Sequence, residues 1–404
     1  MTMIHQLLET AKNKVDQVIL NAHNVKYFAN NLNSAKIPAL IINNRLPIDD
    51  TVDMKDIQVL RTKGVEYYPS GRTGMPALVS AEDGLALPGS VLASTDKNLL
   101  ELSVLGAYVL LLDEKKMLSL LENGNLDIPE PKTMNIVLQG KPGEWIGGTD
   151  IALYLINYFS LPEDKSTLLE IHGEGLNTLP LNERSNLART LIGLGYEHLL
   201  FQVDDAVMAF LQDRSEGEGH YYFPDEKADK NSTINIELQK IQPMIAWKEK
   251  DEIKIGPLTD KDGQEIAQIF IGGDTSCRYE DIQAGLKLIR YTPLTDTVTS
   301  CIMPGSQLVN GDLLDMGIAG ILTEIGFDLL PSSFLELLVS HPDTKGSRLG
   351  TSAQILHSGG MLANALSCFS AAMTGKITHP LELESILKQE EKQKQEHEHE
   401  HKHE

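Results

Sequence analysis

Basic residues are in short supply in this chain. Its 404 residues carry 35 Lys and Arg against 57 Asp and Glu, a net charge of −22 at pH 7. Non-specific nucleic-acid binding and docking on anionic membrane both draw on basic surface, so this balance argues against both. Long apolar runs are missing as well, and none approaches the ~20 residues that a membrane span needs. The start, Met1-Thr-Met-Ile-His5-Gln, lacks the basic opening and apolar centre of a signal peptide, which predicts a cytoplasmic protein. Cysteine is scarce: Cys277, Cys301 and Cys368 are widely spaced and form no CxxC, so reduced thiols are expected rather than a disulfide framework. Gly71-Arg-Thr-Gly74 and Gly217-Glu-Gly-His220 lack the Lys-Ser/Thr ending of a phosphate loop and read as turns.

What is present is ordinary globular material. Hydrophobic residues make up 41% and charged residues 23%, enough apolar chain for two to four domains at roughly 100–200 residues each. Short β-rich runs are followed by helical patterns. Val91-Leu-Ala precedes Leu99-Leu-Glu-Leu-Ser-Val-Leu-Gly, and Asn135-Ile-Val-Leu precedes Asp150-Ile-Ala-Leu-Tyr-Leu-Ile. Leu199-Leu-Phe-Gln-Val precedes Asp205-Ala-Val-Met-Ala-Phe-Leu, and Ile269-Phe-Ile-Gly precedes Tyr279-Glu-Asp-Ile-Gln-Ala-Gly-Leu. This alternation predicts an α/β fold with largely parallel sheets. The polar stretch from Asp213 to Ser232 reads as an exposed connection. No internal repeat is visible. From Glu384 the chain has no apolar face and ends in Glu396-His-Glu-His-Glu-His-Lys-His-Glu404, which reads as a disordered, solvated tail.

Four stretches together resemble one family. They are Leu87-Pro-Gly-Ser-Val-Leu-Ala-Ser-Thr-Asp96 with Gly106-Ala107; Lys132-Thr-Met-Asn-Ile-Val-Leu-Gln-Gly-Lys141 with Gly173-Glu174 and Arg184; Ile269-Phe-Ile-Gly-Gly-Asp-Thr-Ser-Cys-Arg278-Tyr-Glu-Asp281; and Met303-Pro-Gly-Ser306 through Ile325-Gly-Phe-Asp-Leu-Leu-Pro331. In order and spacing they resemble the large subunit of 3-isopropylmalate dehydratase, in the aconitase superfamily. The resemblance implies three related α/β domains around a cleft, expected at 1–134 (with a truncated N-terminus), 135–230 and 231–383, followed by the tail at 384–404. It also implies a smaller swivelling-domain subunit as a protein partner.

The family's hydro-lyases use a [4Fe–4S] cluster held by three cysteines, with one iron open as a Lewis acid. The resemblance places those positions on Asp274, Ser333 and Glu336, none of them cysteine. No [4Fe–4S] cluster is therefore expected, although three oxygen donors could hold a divalent metal. The family's acid–base groups fall on His23, whose carboxylate partner becomes Ala22, on Asp96, and on Asn98 in place of a histidine; Lys97, at a serine position of the family, is a candidate base in its own right. Arg184, Arg189, Arg278 and Ser306 are the candidates for a cleft that binds a small carboxylate. In the tail, His397, His399, His401 and His403 could chelate a metal.

Kept scaffold residues beside lost ligands favour a non-catalytic homologue that acts by binding or assembly. Two alternatives are a hydro-lyase or isomerase for a small hydroxy-carboxylic acid, with a mononuclear metal, and a metal-handling protein working through the tail.

Overall fold

The computed structural model describes residues 1–12, 14–42, 54–68, 74–162, 164, 166–215, 217–225, 232–273, 277–332, 334–335 and 346–400; side chains of the last helix are described to Gln389 and at Lys392. Its strands gather into three sheets, each with its covering helices making one unit, first to third in chain order. The first contains β1 Gln17–Asn21, β2 Ala39–Ile42, β3 Val65–Tyr67, β4 Val91–Ser94 and β5 Tyr108–Leu111, all parallel, in the order β3-β2-β1-β4-β5. The second contains β6 Thr133–Gln139, β7 Leu168–His172, β8 Leu199–Phe201 and β9 Thr233–Glu237, also parallel, in the order β8-β7-β6-β9.

The third sheet adds β10 Met244–Glu249, β11 Glu252–Pro257, β12 Gln268–Gly272, β13 Thr299–Met303, β14 Phe327–Leu329, β15 Arg348–Gly350 and β16 Met361–Ala363. Its order is β11-β10-β16-β15-β12-β13-β14; the β10–β11 hairpin is antiparallel and the other pairings from β16 to β14 are parallel. All three sheets therefore share one winding: the first strand of the parallel set sits inside, and the chain reverses direction across it. The sequence shows no repeat, yet the topology has one.

Continuous apolar runs such as Ala39-Leu-Ile-Ile42, buried at every position, suit strands covered on both faces. Helices cover them, started by side-chain caps. Asp113 accepts from the Lys116 amide, Asp204 from Val207 and Asn364 from Ser367. Gly272 has φ +102°, and a Cβ there would stand 2.1 Å from the Met303 carbonyl oxygen, so the loop leaving β12 can pass the end of β13 only on a bare backbone.

β9 lies beyond the boundary expected at 230, because its register is with β6. The segment from 384, expected to be disordered, continues the helix Pro380–Glu400, and Leu383 and Leu387 are buried against the third unit's core. Leu387, one helical turn after Leu383, sits at the edge of the polar run, which hid it from the pattern reading. Among the described residues, no helix is long and apolar enough to cross a membrane.

Candidate functional site

In doubly wound sheets, ligands bind beyond the carboxyl ends of the strands, where the strand order reverses. In the first sheet that point lies between β1 and β4. His23 stands just beyond β1, exposed, with its backbone amide donating to Asn21 Oδ1 at 3.0 Å. Thr95, beyond β4, donates to Asn24 Oδ1 at 2.8 Å and ties the two loops together. Asp96 is buried and caps the 3-10 helix Lys97–Leu105, accepting from the Asn98 amide at 2.9 Å, while Lys97 is exposed at the start of that helix. The structure thus brings His23, Asp96 and Lys97 to one end of one sheet, with the Asp96 carboxylate already engaged in capping.

The three units meet one turn further along. Glu101, buried in an otherwise apolar segment, lies between two arginines. Its Oε2 is 3.7 Å from Arg189 Nε, and its Oε1 is 4.0 Å from Arg278 Nη2. Arg189 comes from the helix Leu181–Gly193 of the second unit, and Arg278 from the loop after β12 in the third. Arg189 Nη1 also donates to Asn98 Oδ1 at 2.9 Å. The Arg278 guanidinium stands 5.9 Å from the Phe210 ring centroid, and its buried Nε has no hydrogen-bond partner among the described residues. The space left among Glu101, Ser185, Phe210 and Arg278 is about 10 Å³, one water at most.

Further contacts close the same junction. Ser306 caps the helix Gln307–Asp315 and donates to Glu82 Oε1 at 2.7 Å. Burial raises the Glu82 carboxyl above its ordinary value, against the Ser306 bond and the charge of Arg278. Asp281 accepts from Asn182 at 2.8 Å, Asn186 at 3.0 Å and the Arg278 amide at 2.9 Å, joining the second unit to the third. Beside it, burial and then the Asp281 charge push the Glu183 carboxyl up. A buried carboxylate with three donors, as Asp281 has, fits a fixed interface.

Arg184, expected in the cleft, is not there. It is fully buried inside the second unit, its Nη2 2.5 Å and Nη1 3.0 Å from the two oxygens of Asp204, and its Nε donates to the Leu179 carbonyl at 2.9 Å. Burial tends to raise Asp204, but the Arg184 fork outweighs it and holds the carboxyl low. This arginine is a core strut. Glu101, Asn182 and Asn186 were not anticipated, and Asp281 entered only as part of a matching stretch. The one signal was Glu101 itself, a single charge within Leu99-Leu-Glu-Leu-Ser-Val-Leu. Asp274, Ser333 and Glu336 lie outside the described residues, as do His401, His403 and the side chains of His397 and His399. Among the described residues, no three His, Cys, Asp or Glu side chains form a metal-ligand group.

The sequence profile of the aconitase family (aconitate hydratase) matches residues 5–333. The chain belongs to the aconitase family. Its fold is the family's α/β fold. Among relatives, the 3-isopropylmalate dehydratase large subunit of Clostridium botulinum (strain Eklund 17B / Type B) is 25% identical over 328 residues, covering 78% of each chain. That of Flavobacterium johnsoniae is 25% identical over 402 residues, covering 85% of each. The crystal structure of Thermococcus kodakaraensis aconitase X in its holo-form overlaps 90% of this chain and 93% of that one, with a TM-score of 0.49 and 12% identity.

The aconitase family's [4Fe–4S] cluster needs three thiolates facing one space. This chain's three cysteines do not provide that. Cys301 packs with Phe270 and Met303 on one face of the third sheet, whereas Cys277 and Cys368 pack with Ile269 and Ile302 on the other. All three are free and buried, and burial raises each thiol, Cys301 to about 11 and the others well above the ordinary value. The three cysteines, split between two faces of the sheet, do not fit the group.

Proposed function

We propose that this aconitase-family chain acts by binding, without the iron–sulfur hydro-lyase chemistry implied by the resemblance. The observation that carries this reading is Glu101. Its carboxylate lies against the Arg189 and Arg278 guanidiniums, the side chains a small carboxylate ligand would use, in a space of about 10 Å³. A ligand there would have to displace a buried internal carboxylate and separate the three units. The scattered cysteines support the same reading. The three free thiols suit a reducing compartment, the cytoplasm. The matched relatives are, by name, large subunits, which favours a protein partner for this chain as the object bound.

The test is a hydro-lyase assay with 3-isopropylmalate and with aconitate, after anaerobic incubation of the purified chain with iron and sulfide, alone and with a dehydratase small subunit added. The expected result is no turnover of either acid. Turnover of either would replace this reading with that of an active dehydratase.

A further inference from the structure

The helices Gln307–Asp315 and Ile318–Ile325 form a hairpin whose inner sides are already used: Val309 and Leu313 of the first, and Ala319, Leu322 and Ile325 of the second, are buried. The outer side carries exposed apolar side chains among polar ones. Leu308, Leu314 and Met316 are 46%, 62% and 68% exposed, with Asn310, Asp312 and Asp315 exposed between them. Three large apolar side chains left in solvent on one short hairpin favour a contact site.

Two helical glycines add to this. At Gly311 and Gly320 no described residue lies within 4 Å of where a Cβ would stand. Glycine inside a helix is less stable than alanine there, and this chain's own packing gives no reason for it. A bare backbone lets a partner approach closely from outside.

Charge identifies the partner's chemistry. From Tyr291 to Ser340 there is no Lys, Arg or His. Asp312, Asp315 and Glu324 stand exposed on the hairpin itself. Two copies of this chain meeting here would bring acidic rims together, which disfavours self-association. We infer that this face docks a basic amphipathic segment of a different protein, with apolar side chains over Leu308, Leu314 and Met316 and Lys or Arg toward Asp312, Asp315 and Glu324. The inference rests on the reading that the chain acts through a partner, and it names the surface and the chemistry that partner would meet.

The probe is a synthetic helical peptide with Leu on one face and Lys on the other, titrated onto the full chain and followed by fluorescence anisotropy. A chain of net charge −22 attracts any cation, so the variants decide the outcome. A Leu314→Glu, Met316→Glu double variant removes the apolar contacts. A Gly311→Ala, Gly320→Ala double variant favours the helices, so it folds, but blocks close approach. Ile253→Glu and Tyr158→Glu, at residues 44% and 50% exposed on other elements, are controls. The expected result is a loss of affinity of about tenfold or more for both hairpin variants, and little change for the controls. Equal affinity across all variants, or no binding, would overturn the inference. So would a wild-type dimer dissociated by the hairpin variants, because a second copy would then be the occupant. Turnover in the hydro-lyase assay would end the non-catalytic reading and leave the peptide result standing on its own.

Discussion

Glu101 of the first unit faces Arg189 of the second, Oε2 to Nε at 3.7 Å, with both side chains about one-twentieth exposed. Arg278 of the third unit completes the arrangement at 4.0 Å. One carboxylate thus lies between two guanidiniums where all three units join. A buried charge that loses its partner is costly, because no water can replace what was removed.

Glu101→Ala is therefore expected to destabilise the chain by about 3–5 kcal/mol. It should also leave a site for an added anion. A small dicarboxylate should raise the melting temperature of the variant and leave that of the wild type unchanged, as measured by thermal unfolding with and without malonate. A variant as stable as wild type, or one indifferent to malonate, contradicts the assigned role of Glu101.

Arg184 gives a different result if it is a strut. Its fork onto Asp204 and its bond to the Leu179 carbonyl lie wholly inside the second unit. Arg184→Met should cost about 3–5 kcal/mol in urea unfolding, by leaving Asp204 without its partner. Arg184→Lys should recover only part, since an ammonium cannot reproduce the fork. Malonate should rescue neither.

Asp150 is fully buried and accepts from the Gly147 and Met244 amides and from Asn364. Burial outweighs those bonds and pushes its pKa from 3.8 to about 7. The folded chain holds this proton more tightly than the unfolded chain does. The group's contribution therefore favours folding at low pH and is lost as pH rises from about 4 to about 7. Compared with Asp150→Asn, the wild type should lose on the order of a few kcal/mol over that window, with no further change above it. Urea midpoints of both proteins from pH 4 to 8 read this directly, and parallel curves would count against it.

Much of the fold was readable from the sequence because parallel strands buried on both faces leave uninterrupted apolar runs, and the runs at 91, 135, 199 and 269 all became strands. The site was less readable. Arg184 and Arg189 look alike on one helix, five residues apart, yet one turns into the core onto Asp204 and the other toward Glu101 and Asn98. Which way each turns depends on residues distant in the chain, and spacing along one helix does not reveal it. The boundary near 230 was obscured for the same reason: β9 joins its sheet by pairing with a strand almost a hundred residues earlier.

Gly311→Ala and Gly320→Ala should each stabilise the isolated chain by about 0.5–1 kcal/mol, since neither position has a neighbour that a methyl group would strike. Denaturant unfolding of the two single variants checks this. A loss of stability would mean that the fold itself needs those glycines.

The central claim is that this family member keeps the scaffold without the cluster. Iron and acid-labile sulfide, measured on the full chain after anaerobic reconstitution, test it most directly. The account predicts neither in stoichiometric amount, in wild type and in a variant with all three cysteines replaced by serine. Stoichiometric iron and sulfide in the wild type, lost in that variant, would contradict it.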